Sequence, residues 1–155
     1  MTKNMAFRFI DGLFIVVFGA NGPTDQEWLR YIRLVEYHGL KRTMQLVFTD
    51  GGGPDYSQRS YFAEIMCDRF AFVAVVSSSI RARALVTVIS WFNPRIRVFS
   101  HSKQGCLRSE HALRSALAYL EIPASRHDDI DTMRRLLRSE ITAADARDDE
   151  GSRTL

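Results

Sequence analysis

The residues with the clearest chemical potential lie where an apolar strand runs into glycine, in MQLVFTDGGGPDYS over residues 44–57. Asp50 closes the strand, Gly51, Gly52 and Gly53 follow without interruption, and Ser57 stands at the expected helix start. Glycine-rich turns can aim backbone N–H groups at an anion, as nests and phosphate loops do. The same glycines can equally relieve backbone strain at a tight exit, or leave the loop mobile. No lysine follows, so the phosphate-loop pattern GxxxxGK[ST] is absent. A second polar junction, Ser77-Ser78-Ser79, ends another apolar run, with Arg81 and Arg83 just beyond it. Hydroxyls beside the unpaired N–H groups of a helix start make an anion-receptive corner, whereas capping alone needs one serine.

Other reactive residue types are scattered. His38, His101, His111 and His127 lack ligand spacing, and none pairs with a recognisable nucleophile. Asp128, Asp129 and Asp131 fall in the first turn of an expected helix, where the dipole favours acids. Cys67 and Cys106 are far apart without a CxxC spacing, which argues against a disulfide scaffold and a zinc site. No metal, cofactor or catalytic group is expected. The chain has 155 residues, 46% hydrophobic and 25% charged, which suits one soluble globular domain. The net charge is +3, and basic residues are interspersed with acids, so nucleic acid is not an expected partner. The apolar runs LFIVVFGA and FAFVAVV fall far short of the roughly 20 residues that span a bilayer. With no secretory h-region at the start, the expectation is a cytoplasmic protein without a membrane span.

The elements that must position these groups follow from periodicity. Residues 5–10 and 13–20 are β-rich and joined by Asp11-Gly12, a strong two-residue hairpin signal. Thr24 and Glu27 form a capping box for a helix carrying Trp28, Tyr31, Ile32 and Val35, with His38 at its end and Gly39 as its stop. Residues 44–49 form a strand, and Ser57 is the expected N-cap of a helix bearing Tyr61, Phe62, Ile65 and Met66. The unalternating run 70–76 predicts a strand buried on both faces. A helix over 80–92 stops at Asn93-Pro94. Residues 95–100 alternate basic and apolar positions, as an edge strand does. Helices follow from about Ser109 to Pro123 and over about 128–140, and the small, charged stretch 141–155 reads as disordered. Alternating strands and helices predict an α/β fold. Its mixed sheet has about five strands, an N-terminal β-hairpin, covering helices and an extra C-terminal helix, all within a single domain over residues 1–140.

This order of elements resembles the STAS domain (sulfate transporter and anti-sigma factor antagonist), in particular its divergent free-standing bacterial members. The likeness is carried by the hairpin MAFRFIDGLFIVVFGA, the capped helix TDQEWLRYI, the exit LVFTDGG, the turn FVAVVSSS and the block VISWFNPRIRVF. It covers about residues 5–121 and leaves the last helix as an addition. The resemblance implies a small scaffold that usually catalyses nothing. Family members bind an anti-sigma kinase, join stress-sensing complexes or regulate transporters. Their phosphorylatable serine opens the helix after the central strand, within an Asp-Ser-Ser-Gly-like sequence. The matching stretch here, TDGGGPDYSQR, departs from that pattern by lacking the double serine and having a longer loop; Ser57, the only nearby serine at a plausible helix start, is the candidate phosphorylation site. STAS-like folds are also similar to the smaller part of CRAL-TRIO lipid carriers, which keeps an apolar ligand in view.

The expected function is therefore a non-catalytic protein-interaction module in bacterial signalling, working through Asp50, Gly51–Gly53, Ser57, Ser77–Ser79, Arg81 and Arg83. The alternative is a binder of a small anionic ligand, nucleotide or lipid at the same loops. Leu85, Val88, Trp91 and Phe92 add a candidate face for a homodimer, because the helix over 80–92 has few polar residues between its apolar stripes.

Overall fold

Two successive positive φ angles, 47° at Asp11 and 82° at Gly12, turn the chain at the hairpin the Asp-Gly pair predicts. A computed structural model of the protein describes residues 3–38, 44–66, 72–90, 95–100 and 106–152. Side chains are described except at 85, 87–90, 106–109 and 144–152. β1 (Met5–Ile10) pairs antiparallel with β2 (Leu13–Phe18), Ile10 opposite Leu13. α1 (Asp25–Tyr37) leads to β3 (Met44–Thr49), α2 (Tyr56–Met66) to β4 (Phe72–Ser77), and α3 (Ile80–Ser90) to β5 (Ile96–Ser100). Among the described residues the strands form one sheet in the order β1-β2-β3-β4-β5, parallel from β2 onward. α4 (Cys106–Tyr119), a 3-10 turn at Ala124–Arg126 and α5 (His127–Ser152) complete the chain.

Handedness explains the layers. Three crossovers step to the neighbouring strand in the same direction, and such crossovers are right-handed in about 98% of cases. α1, α2 and α3 must then share one face. Phe14, Val16 and Phe18 pack there against Trp28, Tyr31, Ile32 and Val35, with Met66 and Val86 from the next two helices. Leu13, Ile15 and Val17 point the other way, where Ala116, Leu117, Ile130, Leu137 and Ile141 of α4 and α5 meet them. β2 is buried at all six positions, which is why its sequence does not alternate.

The C-terminal expectation needs correction. α5 does not end near Glu140 ahead of a disordered tail; it runs to Ser152, and Ile141 is a buried core residue. Ile130, Leu137 and Ile141 recur at intervals of seven and four, one continuous helical stripe, and the alanines after Ile141 favour helix. Nor is α5 an appendage, since it covers half of one sheet face. α4 starts at Cys106 instead of Ser109. The expected stops at Gly39 and Asn93-Pro94, together with Phe70, lie outside the described residues. So do Trp91 and Phe92, while Leu85 and Val88 lie in α3 with their side chains undescribed, so the candidate dimer face lies outside what the structure describes.

Thr24 caps α1 as its sequence predicts, its hydroxyl accepting from the Glu27 N–H at 3.3 Å. The Glu27 carboxylate also accepts from the backbone N–H groups of Thr24, Asn4 and Met5, at 2.8, 2.9 and 3.2 Å, and so anchors β1 to α1. His38 ends α1, and its ring stacks on Phe9 with centroids 3.8 Å apart.

Tyr31 lies in the middle of this face, 2% exposed, and burial pushes its phenol well above the ordinary tyrosine range. The unfolded phenol releases its proton near pH 10, the folded one later, so the folded state binds more protons above that point. Stability from this group is complete below about pH 10 and declines by about 1.4 kcal/mol per pH unit above it. Urea unfolding of the wild type and Tyr31→Phe at successive alkaline pH values is expected to show a shallower decline in the variant. Parallel declines would rule out the buried phenol as the cause.

Candidate functional site

β3 and β4 leave the sheet side by side, with Thr49 in register with Ser77. The buried Ser77 hydroxyl donates to the Thr49 carbonyl at 2.9 Å and accepts from the Ser79 N–H at 3.0 Å, locking the two exits together. Ser79 caps α3, its hydroxyl accepting from the Ala82 N–H at 3.3 Å. Ser78 is half-buried beside them. Two of the three serines are therefore engaged in structural hydrogen bonds. Arg81 is exposed and Arg83 half-buried within α3.

The glycine loop is folded down. The Gly51 N–H donates to the Thr49 hydroxyl at 3.0 Å, and that hydroxyl donates to the Gly52 carbonyl. The Gly52 N–H donates to the Gly19 carbonyl, at the end of β2, at 3.1 Å. Those two N–H groups already have acceptors, so they do not form an open anion nest. Gly51 has φ +130°, a conformation side-chain-bearing residues avoid, and a Cβ there would lie 3.5 Å from the Ser79 hydroxyl. The glycines fit the strain-relief alternative.

Ser57 does not cap α2. Asp55 does, its carboxylate accepting from the Gln58 N–H at 2.8 Å, while the Gln58 side chain accepts from the Asp55 N–H at 3.1 Å. This reciprocal pair is a capping box whose Asp-x-x-Gln signature was legible in the sequence. Gln58, 6% exposed, also donates to the Pro23 carbonyl and the Asp25 carboxylate, and its own carbonyl accepts from the Trp28 indole at 2.9 Å. It is a buried tie between the starts of α1 and α2. Ser57 stands one residue inside α2, exposed, with Tyr56 before it 77% exposed. Ile80, the first residue of α3, is 74% exposed on the same rim.

On the opposite side of the sheet, the same strand ends border a recess of about 40 Å³. Phe48, Val76 and Leu113 supply its apolar lining, and Thr49, Asp50, Arg134 and Arg138 its polar groups. Arg138 forks onto Asp50, donating from both terminal nitrogens. Arg134 lies over the Phe48 ring, 5.4 Å from its centroid, and donates to Asp131 from Nε at 2.9 Å and NH2 at 2.7 Å. Of these polar groups only Asp50 was a sequence candidate; the arginines come from the helix taken for an addition. Among the described residues, no cluster of three or more His, Cys, Asp or Glu is placed to hold a metal ion. No described helix is long and apolar enough to cross a membrane. No protein-family model, curated protein or solved structure matches the chain.

Proposed function

We propose that the chain is a non-catalytic, STAS-like docking module that binds a protein partner through the rim where β3 and β4 end, within a bacterial signalling or regulatory route. One observation carries the reading: Tyr56 and Ile80 stand largely exposed at the first positions of α2 and α3, on either side of exits locked together by Ser77. A large aromatic and a large aliphatic side chain held on rigid helix starts are the kind of anchor that dominates interface energetics. Ser57 lies beside Tyr56 with its hydroxyl exposed, so a phosphate there would bring nearly two negative charges next to Asp55. Size favours docking over a nucleotide or lipid, which need about 300 Å³ or more against the 40 Å³ of the neighbouring recess.

Affinity capture from the native host with the wild type and with a Tyr56→Ser/Ile80→Ser variant tests this. A partner held by the wild type is expected to bind the variant at least about 30-fold more weakly, the loss of one strong anchor. Identical captured sets with both proteins would dismiss the rim as the docking surface. A Ser57→Asp variant that holds the partner as well as the wild type would remove the switch but not the dock.

A further inference from the structure

The recess beneath α5 has a different character from the rim. From its size, charge and donors, we infer that it is a binding site for one tetrahedral oxyanion, a phosphate or phosphoryl group, held by Arg134 and Arg138. Its 40 Å³ is room for about three waters, which suits a group of four oxygens and is far below the roughly 300 Å³ of a pocket that encloses a whole nucleotide. Arg134 and Arg138 are four residues apart on α5 and therefore share one face of that helix. Arg134 is held in place at two nitrogens by Asp131 and rests on Phe48, which leaves its Nη1 available among the described residues. A guanidinium fixed in this way loses little freedom when it binds, and its remaining nitrogen can give a charge-assisted hydrogen bond to a phosphoryl oxygen.

Charge points the same way. Asp131 also pairs with Arg135, so three guanidiniums face two carboxylates, Asp131 and Asp50, and the corner has one positive charge in excess. The pair that closes the recess is exposed to solvent and can exchange. Its side chains are 35% and 53% exposed for Arg138 and Asp50, so water reaches both partners and screens their attraction. The arriving anion takes Arg138, and Asp50 turns to water. The glycine and Ser77–Ser79 corner on the other face offers no equivalent, because its donors at Gly51, Gly52 and Ser79 are already engaged.

The inference does not rest on partner docking, since it is read on the isolated chain. Calorimetric titration with inorganic phosphate is expected to give saturable binding with Kd on the order of 1 mM. Arg134→Gln and Arg138→Gln should each weaken it about tenfold or more, the loss of one charge-assisted contact. Asp50→Asn should tighten it, because the competing carboxylate is gone. Arg114→Gln, an exposed arginine outside the recess, should leave it unchanged, and thermal melts confirm that each variant is folded. A peptide bearing phosphoserine separates the sources: the same variant sensitivity for the peptide, without binding of free phosphate, assigns the group to a partner's side chain. Saturation by neither species, affinity unmoved by both arginine variants, or weaker binding by Asp50→Asn would each overturn the site.

Discussion

Leu137→Ala is expected to lower the unfolding free energy by about 2–5 kcal/mol, while its neighbour Leu136→Ala changes it by no more than about 0.5 kcal/mol. Leu137 is fully buried against the face of the sheet that presents Leu13, Ile15 and Val17; Leu136 is 53% exposed one position away on the same helix. Helix propensity and chain position are almost equal at the two sites, so the difference isolates packing onto the sheet. Urea unfolding followed by circular dichroism gives both numbers. Truncation after Arg126 takes the argument to its limit. It removes Ile130, Leu137 and Ile141 together and opens to water a face that only α4 would then cover. The shortened chain is expected to lose cooperative unfolding and to aggregate through that surface. Equal, small effects of the two leucine variants would mean that α5 does not pack there, and the oxyanion recess would lose two of its walls with it.

The sequence carries much of this fold because its local signals agree. Asp11-Gly12 sets the hairpin, Thr24 and Glu27 set the start of α1, and the uninterrupted apolar runs mark strands with both faces covered. The side-by-side exits at Thr49 and Ser77 follow from adjacent parallel strands, and they are in register. The errors have physical causes. Serine is a good cap, which favours Ser57 from sequence, yet Asp55 with Gln58 three residues on satisfies two N–H groups and prevails. The second half of α5 reads as small and charged and so resembles a disordered tail, and only the spacing of Ile141 from Leu137 betrays a buried stripe. Its role follows from topology: three same-handed crossovers leave one face of β2 bare, and the apolar stripes of α4 and α5 pack onto it. Which arginines of that helix would meet Asp50 could not be read, because it depends on how α5 sits on the sheet.

Gly52→Ala is expected to destabilise the chain at or beyond the upper end of the roughly 1–3 kcal/mol typical of overpacking. A Cβ at that position would lie 2.1 Å from the Asn21 carbonyl oxygen and 2.5 Å from that of Gly19. Both obstacles are backbone, so no rotamer change relieves them, and the loop must move. Movement breaks the Gly52 N–H bond to Gly19, a further loss of about 1 kcal/mol, and withdraws the Gly52 carbonyl from the Thr49 hydroxyl. Gly53→Ala is the matched control, since a Cβ there meets nothing within 4 Å and its φ is unremarkable; it should stay within about 0.5 kcal/mol. Gly51→Ala belongs with Gly52, because φ +130° strains any side-chain-bearing residue. Thermal and urea unfolding of the three variants therefore separates the two structural roles the glycines can have. A loop kept mobile by glycine would tolerate all three alike. A tight exit fitted against β2 rejects alanine at two positions and accepts it at the third, and the displaced loop should carry Tyr56 and Asp50 out of place, weakening partner capture and loosening Arg138 together.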